Sequence, residues 1–298
     1  MSVGTYNGFN IYSLDLLKQC AQAGDARCLP SSGLPVQSSP GQIADQAVIL
    51  GGSNGMTNFR NSPFPNGAAV DEVFLTPRGN QGASYTMSDP GGQFAGDRAN
   101  TWEISLDLLR NYLNGNDLVF LFDNNQQGSG ANQWINVWGQ ARIIDGSGNT
   151  VNGLCFELST GSGCSAPVPS AYVPVVGNFC VDKTTGASYN VGTARNATSC
   201  GTNGYFVENN LGTNNAEFAA YNQTLSNAVQ NLIAGNYFLS VDVRYTGNNA
   251  GAEQLWICSD CTVAGTPPGQ VPEPATLPLM LLGFMAAGAM ARKSRKQH

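Results

Sequence analysis

Histidine is nearly missing from this 298-residue chain, the single one being the terminal His298. That excludes a Ser-His-Asp or Cys-His nucleophile system in the body of the protein, and with it His-ligated zinc or haem. Charge is scarce as well: 11% of residues are Asp, Glu, Lys or Arg, about half of what an ordinary soluble domain carries. Four of the 14 basic residues, Arg292, Lys293, Arg295 and Lys296, fall in the last seven positions, leaving 10 basic against 19 acidic groups in residues 1–270. A body that acidic, with no basic patch, repels phosphate backbones, so nucleic acid is not expected as a partner. The start, "MSVGTYNGFNIYSLDLL", has neither a basic n-region nor an apolar h-region and does not read as a signal peptide, so export would call for a start further upstream.

What the chain has instead is glycine, amide side chains and cysteine. Hydrophobic residues at 42% are enough for a buried core, and 36 glycines favour short strands joined by tight turns over long helices. Eight cysteines fall into four neighbouring couples, Cys20/Cys28, Cys155/Cys164, Cys180/Cys200 and Cys258/Cys261. Even number and local spacing on polar, Gly-rich segments predict loop-stapling disulfides paired in sequence order, in an oxidising compartment. "CSDC" at Cys258–Cys261 also has the spacing of a thioredoxin-like redox motif, but no βαβ pattern surrounds it. With one CxxC in the chain no zinc site is expected, and no cofactor.

The fold class predicted is mainly β, sandwich-like, with a few short helices. Residues 1–30 read as an N-terminal helical segment, with Ser13 as N-cap and Gly24 ending the helix. Residues 31–70 form a Ser/Gly/Pro-rich loop region and 71–262 a β-rich globular domain. Within the latter, Leu118–Phe122 is uninterruptedly apolar, a strand buried on both faces. "QWINVWGQARIID" and "YFLSVDVRY" alternate with period two. Helices are predicted over Leu106–Gly115 and Ala216–Gly235, each ending in glycine. Both lead through Gly-Asn into a strand, an echo that predicts two related half-units packed face to face.

The chain closes on "VPEPATLPLMLLGFMAAGAMARKSRKQH". After a linker at 263–271, residues 275–291 carry no charge and would span roughly 25 Å as a single transmembrane helix, just short of a ~30 Å hydrocarbon core. The basic cluster Arg292, Lys293, Arg295, Lys296 would hold the end in the cytoplasm and leave the body outside. Two prolines keep Pro272-Glu273-Pro274 extended, open to a protease groove. The order of these parts over 272–298 closely resembles the PEP-CTERM sorting signal of Gram-negative bacteria. The resemblance implies recognition by an exosortase, a membrane protease or transpeptidase acting near Pro272-Glu273-Pro274. It also implies export, transient inner-membrane anchoring, and a place at the cell surface or in the matrix among exopolysaccharide and biofilm components.

For the body, the reading favoured is a non-enzymatic matrix protein with no catalytic residues. Trp134, Asn136, Trp138, Gln140 and Arg142 share one strand face, where indoles would stack sugar rings and the polar groups satisfy their hydroxyls, making extracellular polysaccharide the candidate ligand. The alternatives are a carboxylate-based glycan hydrolase using members of the set Asp123, Glu157, Asp242 and Glu253, or a calcium-dependent carbohydrate-binding module. "DNNQQG" at Asp123–Gly128 imitates half an EF-hand loop, but Trp134 stands where that loop needs Glu.

Overall fold

Short apolar runs bounded by Asn and Gly cannot bury both edges and a face alone, so they add to one another edge to edge. The computed structural model of the chain describes residues 1–263 apart from 26, 28–32, 35–45, 53–57, 59–62, 77–82, 125–134, 162, 165–170, 176–177, 191–196, 209–215, 233–234 and 249–252; 264–298 also lie outside the described residues. Met1–Ala264 is one compact unit and Gly265–His298 a second. The sorting motif, the apolar run and the basic cluster all belong to the second. Among the described residues no helix is long and apolar enough to cross a membrane.

Strands are the main regular structure of the first unit. A seven-stranded sheet runs β1 (Gly4–Tyr6), β2 (Phe9–Ser13), β14 (Phe218–Tyr221), β7 (Val119–Asp123), β16 (Gln254–Ile257), β3 (Ala47–Gly51) and β4 (Phe74–Leu75). A six-stranded sheet is built on the long pair β8 (Ile135–Asp145) and β15 (Tyr237–Asn248). The edge of β15 away from β8 is shared end to end by β6 (Trp102–Ser105) and β5 (Ala83–Thr86). The outer edge of β8 is likewise shared by β9 (Thr150–Leu158) and β10 (Val173–Val175). A three-stranded sheet has β11 (Phe179–Asp182) between β12 (Ser188–Asn190) and β13 (Gly204–Val207). Residues of all three sheets join one buried hydrophobic cluster. Strands from either side of the composition change at Asp71 share the seven-stranded sheet.

Helix starts follow the local chemistry. Helix α1 (Leu14–Gln22) is capped by Ser13, whose hydroxyl accepts from the Leu16 N–H at 3.2 Å, and Gly24 takes φ +71° just past its end. Helix α2 (Leu106–Leu113) is capped by Ser105 and ends on Asn114, which adopts the left-handed conformation expected of a glycine there. The stretch Ala216–Gly235 is not one helix. It divides into β14 and α3 (Gln223–Asn231). Phe218–Tyr221 is a continuous apolar run hydrogen-bonded on one side to β2 and on the other to β7, and these ladders override its helical pattern. Asn222 then turns the chain into the helix, its side chain accepting from the Leu225 N–H at 3.0 Å.

Two passages, β6–α2–β7 and β14–α3–β15, correspond in register. Val119, Phe120 and Leu121 face Tyr221, Ala220 and Ala219. Their counterparts Leu239, Ser240 and Val241 face Ile104, Glu103 and Trp102. The passages interleave: each gives strands to both large sheets, and the next strand of each crosses over, β8 pairing with β15 and β16 with β7.

Three of the expected disulfides are formed, Cys155–Cys164, Cys180–Cys200 and Cys258–Cys261. Cys20 is also disulfide-bonded, while Cys28 lies outside the described residues. A bridge closing a loop the length of Cys180–Cys200 is worth about 3 kcal/mol by constraining the unfolded chain. Cys258 and Cys261 are both buried, unlike the accessible thiol that disulfide exchange needs.

Asn222 is the local signal that separates β14 from α3, so Asn222→Ala is expected to lower stability by about 1 kcal/mol. Urea unfolding measures it, and a loss of under a few tenths would show that the cap does not govern this junction.

Candidate functional site

The middle of the strand face proposed for sugars, Trp138 and Gln140, is buried. On β8, Trp138 is 1% exposed, and the Arg244 guanidinium lies 5.3 Å from its ring centre. Gln140 is buried and donates to Glu157, and the Asn136 amide donates to the Thr246 hydroxyl. Arg142 is half-buried, and burial together with the neighbouring Arg98 lowers its pKa. Trp134 lies outside the described residues. An indole with no exposed face cannot stack a sugar, so the period-two pattern marks a strand covered on both sides.

The four carboxylates considered for hydrolysis are tied into the fold. Glu157 accepts from Gln140 at 3.2 Å and from the Ser159 hydroxyl at 2.5 Å. Asp242 pairs with Arg244 at 2.8 Å. Asp123 and Glu253 are buried, and both act on the buried phenol of Tyr245, which burial above all, then the Glu253, Tyr85 and Asp123 charges, holds well above its usual range. The loop from Asn125 to Gly128 lies outside the described residues.

A different group of acids comes together at β6. Asp71, Asp97 and Glu103 each offer a carboxylate oxygen within 4.8 Å of the others. Their convergence has a clear structural basis. Asp71 lies alongside β6, its N–H donating to the Glu103 carbonyl at 2.9 Å and its Oδ2 accepting from the Glu103 N–H at 2.6 Å. Glu103 faces Ser240 of β15, whose hydroxyl donates to Oε1 at 2.5 Å, and its Oε2 accepts from the Arg98 N–H at 3.2 Å. Asp97 arrives on a glycine-rich loop, closed by the Asn100 N–H to the Asp89 carbonyl. Gly96, at φ +86°, lets that loop press on β15, since a Cβ there would stand 2.4 Å from the Phe238 ring.

Asp71 is 3% and Glu103 0% exposed. Two ionised carboxylates this close repel by about 3 kcal/mol at an effective dielectric of 20. Burial first, and then the Glu103 charge, pushes Asp71 up to about 9; burial also raises Glu103 and Asp97. Among the described residues no Lys or Arg side chain donates to the three, and the Asp71 Oδ1 and Asp97 Oδ1 atoms are buried without a hydrogen-bond donor. A cleft of about 380 Å³ beside the cluster is lined by Asp71, Tyr85, Thr86, Ser88, Asp89 and Gln93. The signal in the sequence was Asp89, Asp97 and Glu103 strung along "DPGGQFAGDRANTWE", but Asp71 is distant in the chain and only the strand pairing brings it in. A second cleft, of about 330 Å³, is apolar and lies where the three sheets meet, lined by Tyr6, Ile11, Phe122, Val137, Phe179 and Phe218 among others.

A disulfide-stapled β body followed by a proline-flanked glutamate, an apolar run and a basic end defines a class of exported, sorted proteins, and the PEP-CTERM protein-sorting motif matches residues 270–296. Such a motif marks a chain that is exported, anchored in the membrane and processed by an exosortase. The body, matched over residues 1–244, belongs to the family described as a domain of unknown function, DUF8239. No curated protein and no solved structure matches the chain.

An acid whose pKa rises on folding stabilises the fold most when protonated. With divalent ions chelated, the contribution of Asp71 is present in full below its unfolded value of about 3.9 and is lost as pH rises towards about 9. Chelated protein is thus expected to lose stability between pH 5 and pH 8, with Asp71→Asn flattening that slope. Urea midpoints at the two pH values check it, and an equal slope in the variant would refute it.

Proposed function

We propose that this chain is a non-enzymatic protein of the extracellular matrix, delivered to the cell surface through its C-terminal sorting signal and retained among exopolysaccharide and biofilm components. The observation that carries this reading is the PEP-CTERM match at residues 270–296. In the proposed sequence of events the apolar run 275–291 holds the exported chain in the inner membrane. The Arg292, Lys293, Arg295 and Lys296 cluster resists translocation, and the exosortase acts near Pro272-Glu273-Pro274. The stapled body supports export, because disulfides persist where the surroundings are oxidising. A matrix role without chemistry is supported by the bonding of Glu157 and Asp242 within the fold and by the lack of any histidine other than His298.

Processing is tested in the native host with Glu273→Ala. The expected result is a chain that keeps residues 275–298 and accumulates in the membrane fraction, where the parent chain loses them, as read by intact-mass spectrometry of each fraction. A variant trimmed and released like the parent would refute the role of Glu273. The matrix role is read from the same strain series: deletion of the gene is expected to reduce retained matrix material, and unchanged matrix would overturn it.

A further inference from the structure

We propose that Asp71, Asp97 and Glu103 form a calcium site, reached through the cleft beside β6. The proposal concerns the body alone and does not depend on how the tail is processed.

The donor set is all oxygen and all carboxylate, drawn from three places: the segment beside β6, the Asp89–Thr101 loop and β6 itself. Hard cations take such donors, whereas zinc and copper sites are built on imidazole and thiolate. The cysteines that might compete are committed to disulfides. The ligand-directed observation is the orphaned oxygen. Asp71 is almost wholly buried, its Oδ2 is occupied by the Glu103 N–H, and its Oδ1 is buried with no hydrogen-bond partner. Asp97 repeats the arrangement, Oδ2 taking the Gln93 N–H and Oδ1 having no donor.

Nothing else within the described residues balances the three acids. Arg98 lends the cluster its backbone N–H, but its Nη1 is buried without a partner, and the same holds for Nε of Arg142, one strand beyond Ser240. Were these guanidiniums the counter-ions, they would donate to the carboxylates. The Ser240 hydroxyl and the Arg98 N–H instead orient Glu103 from outside, as outer-shell partners of a metal ligand do. The neighbouring cleft offers a path from solvent. Calcium is favoured over magnesium because one ligand sits on a glycine-rich loop, and calcium accepts flexible, irregular oxygen geometry where magnesium demands a near-ideal octahedron.

The test uses the full-length protein in detergent, stripped with chelator and titrated with calcium chloride, followed by calorimetry and by thermal unfolding. Expected are uptake of one ion per chain and a rise in melting temperature of about 5 °C at saturation, reversed by chelator. Asp97→Asn, on the partly exposed loop, is expected to weaken calcium affinity by about tenfold or more. Glu103→Gln and Asp71→Asn are expected to do the same; should either fail to fold, Asp97→Asn decides. The proposal is overturned by no uptake at millimolar calcium, which would leave the cluster as carboxyls sharing protons. Uptake unchanged by Asp97→Asn would also overturn it, by placing the ion elsewhere, and magnesium binding as tightly as calcium would overturn the choice of metal.

Discussion

The antiparallel ladder between β8 and β15 is the constraint on which the rest of the body depends. It runs from Tyr237 opposite Asp145 to Thr246 opposite Asn136, and both outer edges of this pair are occupied by two shorter strands each. A shift of one residue would reverse every side chain between faces, so the register is held by the many buried residues it places. Among these is Ser240, which stands between Glu103 on one neighbouring strand and Arg142 on the other. The cluster of acids is thus a consequence of register, with Asp71 and Asp97 brought to Glu103 by the segments that close over β6.

The interleaving of the two corresponding passages explains why the large sheets share one core. A chain that crossed between sheets once could let them separate, but each passage here contributes to both. Helices α2 and α3 sit at equivalent turns, entered through Ser105 and Asn222. This arrangement creates many non-local contacts, which fold slowly and reward covalent support. The three disulfides that join described residues meet that need locally: two close loops next to strands β9 and β11, and the third closes the turn after β16.

Low charge has a further consequence in the interior. Ser, Asn and Gln replace charged groups throughout, and several are buried with internal partners, such as Asn58 with Val48 and Asp71, Gln140 with Glu157, and Asn222 with Leu225. Buried polar groups of this kind fix geometry because each lost partner costs the full desolvation of the survivor. The same chemistry hid the nature of the β8 face, where Asn136, Gln140 and the indole of Trp138 look like sugar contacts in the sequence and are interior contacts in the fold.

By itself the sequence determined what short-range physics controls. The Ser13 cap of α1, the helix beginning at Leu106, the doubly buried Val119–Phe122 run, the alternating strands β8 and β15, three disulfides between near neighbours, and the sorting signal at the C-terminus were all legible. Each depends on residues a few positions apart, through helix hydrogen bonds, pleat periodicity or loop closure. Only the tertiary structure decided that Phe218–Tyr221 is a strand, that Trp138 faces protein, and that Asp71 meets Glu103 across a strand pairing. In those cases a local pattern allowed two outcomes, and hydrogen bonds and burial supplied by distant segments chose between them.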